Sequence, residues 1–264
     1  MDGIIRQRQL VILRRHLTAC RRLRAWREAE ALLPLLAAIA DPELRLHRFG
    51  EHLGARSPEE AAWTIARLQE MVAEGNRQVQ RVSLGLLDKR RLARVVPPEA
   101  WRAVEAALHE SGHRSARLFA EERRPAEAPD DEVVPRPAEP VGSRISQARR
   151  PVPLLIERLL FDPDARVVRV VLGNPRLTEA EVVKLAASRR ASPECLEAIA
   201  ESDRWIARYA VKVALASNPA TPARLALGLL PYLLRQDLRE LASRATRAEV
   251  RDEAAALLRQ RPGE

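Results

Sequence analysis

An all-α fold of two helical segments is predicted, and three observations predict it. Alternating runs of β-branched residues are absent and glycine is rare, so nothing in the chain reads as a strand. Helix-starting punctuation, Ser or Thr before Pro or three residues before Glu, recurs along the chain. The C-terminal part repeats itself: DPDARVVRVVLGNPRLTEAEVVKLA (162–186) parallels SDRWIARYAVKVALASNPATPARLAL (202–227), with Asn174-Pro175 and Asn218-Pro219 marking the same point 44 residues apart.

The elements follow in order. The first 27 residues hold eight Arg and one acid, Asp2, with Leu10, Leu13, Leu17 and Cys20 at helical spacing. This is a basic amphipathic helix, which either closes the domain with its apolar stripe or docks on an acidic surface. Ser57-Pro58-Glu59-Glu60 is a capping box with Pro at the first helical position, and Gly75 closes that helix. His47 and His52 flank a turn-like Phe-Gly-Glu. From Pro98 a further helix places Trp101, Val104, Leu108, Gly112, Ser115, Leu118 and Phe119 on one inward stripe. Residues 123–150 carry five prolines between Pro125 and Pro140, mixed charge and almost no apolar periodicity, and are expected to be a flexible linker. The predicted domains are therefore 1–122 and 151–264. Within the second, Thr178…Glu181 and Thr246…Glu249 read as capping boxes, and Ser192-Pro193 and Thr221-Pro222 as capping hydroxyls before Pro.

The pattern DPD-x-x-V/I-R, then Asn-Pro, then T-x-x-x-L, carried by GNPRLTEAEVV and RWIARYAVKVALASNPATP, resembles the HEAT-like and leucine-rich-repeat-variant α-solenoids of bacteria. The resemblance covers about residues 144–260. It implies a C-terminal α-solenoid of HEAT-like helical repeats and no catalytic residue. The short phrase Trp205-x-x-Arg208 also resembles the W-x-x-R-x-A helix of HEAT-like DNA glycosylases.

One motif points to chemistry. His109-Glu110-Ser111-Gly112-His113 matches H-E-x-x-H, in which two histidines one helical turn apart hold zinc and the Glu activates water. On the helix from Pro98 both histidines face away from the inward stripe, beside Arg102 and Arg117. No histidine follows His113, and the downstream Asp130 and Asp131 fall in the linker. A zinc metallohydrolase is thus a distant alternative, and neither a metal, a cofactor nor a catalytic residue is assigned.

The formal charge is +9, but only Lys89, Lys184 and Lys212 are Lys. An Arg-heavy, Ala- and Leu-rich composition matches GC-rich coding, which accounts for much of the excess. Cys20 and Cys195 form no metal knuckle or disulfide framework, and no apolar run approaches the roughly 20 residues that span a bilayer. A reduced cytoplasm without membrane insertion is expected. The expected role is a non-enzymatic scaffold or adaptor, with no small-molecule substrate evident. Its partner surface is a basic ridge: Arg166 and Arg169 on one helix, and Trp205, Arg208 and Lys212 on one face of the equivalent helix, stacked in register. An acidic protein would dock there. The alternative is a HEAT-like protein binding nucleic acid through the same Arg-rich face.

Overall fold

The computed structural model describes residues 2–75, 77–113, 116 and 139–261. Among them there are only helices, turns and bends, so the fold is all-α, and none of the described helices is long and apolar enough to cross a membrane. Contacts divide the chain into two units, Met1–Phe119 and Ala120–Glu264.

The first unit contains α1 (Asp2–Ala37), α2 (Pro42–Gly54), α3 (Pro58–Ala73), α4 (Arg77–Ser83), α5 (Lys89–Val95) and α6 (Pro98–Glu110). Helix α3 packs between α1 and α6, and α2 packs on α5. The core is aliphatic: Ala25, Ala29 and Leu36 of α1, Ile65 and Leu68 of α3 and Leu108 of α6 are all buried. Ser57 and Glu60 form the expected capping box. Helices α2 and α5 approach so closely that a Cβ on Gly50 would lie 2.6 Å from the Val95 side chain. The predicted turn around Phe49-Gly50-Glu51 is therefore helix, and its small residue serves packing. On α1 the anticipated stripe is not buried where it is described, since Leu17 and Cys20 are exposed. Among the described side chains of α1 the buried ones are Ala25, Ala29, Leu33 and Leu36, about one per turn.

The second unit contains α7 (Val141–Ala148), α8 (Pro153–Leu160), α9 (Ala165–Leu172), α10 (Glu179–Ala187), α11 (Pro193–Glu201), α12 (Asp203–Ile206), α13 (Tyr209–Ser217) and α14 (Ala223–Leu229). A 3-10 turn (Leu230–Tyr232), α15 (Arg235–Arg244) and α16 (Ala248–Gln260) complete it. Most of the proposed linker lies outside the described residues, but its last part is α7. Sequence periodicity misses this helix because charge anchors it. Arg144 is buried and grips Asp162 with two bonds, Nε–Oδ2 at 2.8 Å and Nη2–Oδ1 at 3.1 Å.

Helices pack in two series, α7 on α9 and α9 on α11, and α8 on α10 and, past the single-turn α12, α10 on α13. The Asn-Pro corners tie these pairs together. Asn174 Nδ2 donates to the carbonyls of Ala148 and Arg150 at 3.3 and 3.2 Å, where α7 ends. Asn218 Nδ2 donates to those of Ala186 and Ser188 at 2.7 and 2.9 Å, where α10 ends. Each Oδ1 accepts the N–H two residues on, from Arg176 and from Ala220. The last carbonyls of a helix have no partner within it, and a buried primary amide has two donors to give them. These bonds make α7 parallel to α9 and α10 parallel to α13. Because α10 starts beside the Asn174 corner, the two corners sit at opposite ends of the helices.

The capping boxes divide. Thr178 with Glu181 forms one, and Ser192 accepts from the Cys195 N–H. Thr221 and Thr246 do not cap. Helix α16 starts at Ala248 with no side-chain cap, and α14 follows Pro222 likewise. Thr221 is fully buried at the place that Leu177 fills one repeat earlier, and its hydroxyl has no hydrogen-bond partner among the described residues. Two outcomes are expected in urea unfolding. Asn218→Ala strands two carbonyls and lowers stability by about 2–4 kcal/mol, whereas the exposed Ser217→Ala stays within about 0.5 kcal/mol. Thr221→Val removes a buried hydroxyl without a partner and raises stability by roughly 1 kcal/mol.

Candidate functional site

The five residues assigned to the basic ridge lie in five different environments. Arg166, exposed on the first turn of α9, folds back onto the helix's own N-cap: Nε lies 3.0 Å and Nη2 2.7 Å from the two oxygens of Asp164. These bonds hold the Asp164 carboxyl down at about 2, well below the ordinary range, and raise the Arg166 guanidinium further. Arg169 reaches from α9 to Glu201 of α11 at 3.1 Å. Both arginines therefore spend their charge on neighbouring acids.

Trp205 is buried. Its Nε1 donates to the Leu172 carbonyl at 2.8 Å, closing the C-terminal end of α9, and the Arg204 guanidinium lies 4.2 Å from its ring centre. Arg204 itself donates to the carbonyls of Asn174 and Leu177 at 3.0 and 3.2 Å. The ring and the guanidinium thus both donate to carbonyls on either side of the Asn174 corner.

Arg208 and Lys212 do not share a helix face with Trp205, because the helix is broken. Helix α12 stops at Ile206, Arg208 is extended (φ −74°, ψ 129°), and α13 starts at Tyr209. Arg208 remains exposed, with Nε 3.8 Å from Glu179. Lys212 is buried, and its Nζ donates to the carbonyls of Ile206 and Ala207 at 3.1 and 3.0 Å, so that it caps α12. Burial pushes its ammonium below the ordinary lysine value. Nor do the two helices stack. Helix α9 packs with α7, α8 and α11, while α13 packs with α10, α12 and α14. The single-turn α12 is inserted just ahead of α13, and α13 lies on α10 where its sequence equivalent α9 lies on α7 and α11.

The H-E-x-x-H motif also meets a break. Helix α6 ends at Glu110, Ser111 is its C-cap and Gly112 takes φ +61°, a left-handed conformation suited to a residue without Cβ. His109 is exposed on the last turn, whereas His113 lies beyond the helix with Nε2 3.0 Å from Glu70 of α3. The two imidazoles are thus not set one helical turn apart, the spacing that the zinc chemistry needs. Ser115, Leu118 and Phe119 of the expected stripe lie outside the described residues. Among those described, no three His, Cys, Asp or Glu side chains are grouped to hold a metal.

What the pattern missed is a set of arginines around the first corner. Arg149, Arg150 and Arg176 are exposed, and no acidic side chain pairs with them among the described residues. The Arg-Arg pair after α7, at 149–150, was a visible signal for it. Compared with models of known protein families, with curated proteins and with solved structures, the chain finds no match.

These placements give opposite expectations for two groups of variants. Trp205→Phe, which leaves the Leu172 carbonyl without its donor, lowers the unfolding free energy by about 1–3 kcal/mol, and Lys212→Glu, which faces a carboxylate to two carbonyls, by about 3 kcal/mol or more. Arg166→Ala stays within about 1 kcal/mol in the same denaturation series.

Proposed function

We propose that the chain is a non-enzymatic helical-repeat scaffold or adaptor whose second unit is an α-solenoid similar to the HEAT-like repeats, and that its partner is a protein with an acidic docking segment. The observation that carries this reading is the pair of Asn-Pro corners with matching bonds at 44-residue spacing. The two packing series of α7, α9, α11 and of α8, α10, α13 support the same reading, because helices stacked in two rows bury one face and offer long edges to a partner. The ridge of Arg166, Arg169, Trp205, Arg208 and Lys212 has no part in it, since those groups are buried or paired within the chain.

The formal charge of +9 favours a second reading, binding to nucleic acid through arginine-phosphate contacts. One experiment separates the two. The tagged chain is cross-linked in cells, purified with and without nuclease treatment, and the bound proteins are quantified by mass spectrometry. The scaffold reading expects a protein partner in fixed ratio that survives nuclease and is released from uncross-linked samples by salt on the order of 0.5 M. Recovery of partners only while nucleic acid is intact rejects it in favour of the second reading.

A further inference from the structure

Resting on the scaffold reading, we propose that the Asn174 corner is the docking surface, and that it takes an acidic peptide segment carrying an apolar anchor. The corner assembles its basic groups through backbone bonds to one side chain. The amide of Asn174 donates to the carbonyl of Arg150 at 3.2 Å and accepts the N–H of Arg176 at 3.1 Å, which fixes these two residues beside each other and beside Arg149. Arg204 adds its guanidinium on the Asn174 carbonyl at 3.0 Å. Among the described residues Arg149, Arg150 and Arg176 face no acid, in contrast to Arg166, Arg169 and Arg208, each of which does.

The dipoles of α7 and α9 end at this corner and favour cations there. That accounts for the sign of the charge but not for the apolar side chains next to it. Val152 and Leu154 follow Arg150 within four residues and are 43% and 76% exposed, Leu154 being the most exposed of the large apolar residues described. Arginine forks match carboxylates in two-bond geometry, and an adjacent exposed Leu is covered to advantage only by apolar atoms. A peptide that alternates acidic and apolar residues meets both demands. A phosphate backbone meets only the first, and its affinity is built from many contacts along a track. Here the track is short, because Arg208, near the start of α10 at this corner, already faces Glu179.

The test uses the full chain and a fluorescein-labelled peptide of repeating Asp-Glu-Leu, followed by fluorescence anisotropy at low salt. Circular dichroism and the thermal midpoint establish that each variant is folded. The expected result is saturable binding that weakens by about tenfold or more in the combined variant Arg149→Glu, Arg150→Glu, Arg176→Glu, and by a few-fold in Leu154→Ala. The control Arg166→Glu, Arg169→Glu leaves it unchanged. Equal affinity in the combined variant and the wild type overturns the assignment of this corner. An oligothymidylate of matched charge that binds more tightly than the peptide, and is equally lost on charge reversal, overturns the peptide chemistry in favour of nucleic acid. Both results are independent of the nuclease experiment, on which the scaffold reading itself stands, so the corner can fail while that reading survives.

Discussion

The second unit depends on a buried primary amide reaching across to the end of a neighbouring helix. Short helices such as α7 and α10 have little internal cooperativity, and their terminal carbonyls face desolvation without a partner. Asn174 and Asn218 supply two donors each at those ends, and their own oxygens are taken by the following turn. Proline after each Asn keeps the helix from continuing and aims the chain into the next one. Trp205 and Lys212 extend the same solution, since each donates into carbonyls at a helix end, and Arg204 does so for the turn between α9 and α10. Polar and cationic groups thus do in this unit what larger aromatic cores do elsewhere, in a chain with only 3% aromatic residues.

Such a use of charge explains which parts of the fold were legible. The all-α class followed from punctuation, and the hydroxyls of Ser57, Thr178 and Ser192 cap as their spacing predicts. Local chemistry decides those positions. Thr221 has a similar local sequence, but tertiary packing overrides it and draws it into the core at a position that takes leucine 44 residues earlier, whereas nothing in the structure explains why the exposed Thr246 does not cap. Helix α7 escaped because its inward contact is Arg144 on Asp162, and hydrophobic periodicity cannot register a buried cation.

The site was less legible than the fold. A helical wheel assumes an unbroken helix, and both sequence patterns singled out for function run across a break, at Ala207-Arg208 and at Ser111-Gly112. Once the helix stops, residues three, four and seven apart no longer share a face. The unpaired arginines were countable in the sequence, but their pairing status depends on acids brought near by folding, as Glu201 is to Arg169 across 32 residues. Charge counting alone therefore ranks paired and unpaired arginines equally, and it ranked the paired ones first.

The single-turn α12 and the extended Arg208 after it let the chain change rows between one corner and the next. Asn174 lies where α10 starts and Asn218 where α10 ends, so the same Asn-Pro phrase is presented on two opposite rims of the second unit. The arginine pair at 149–150 belongs to one rim and the pair at 189–190 to the other, a helix length apart. A ligand small enough to sit on one rim is thus out of reach of the other.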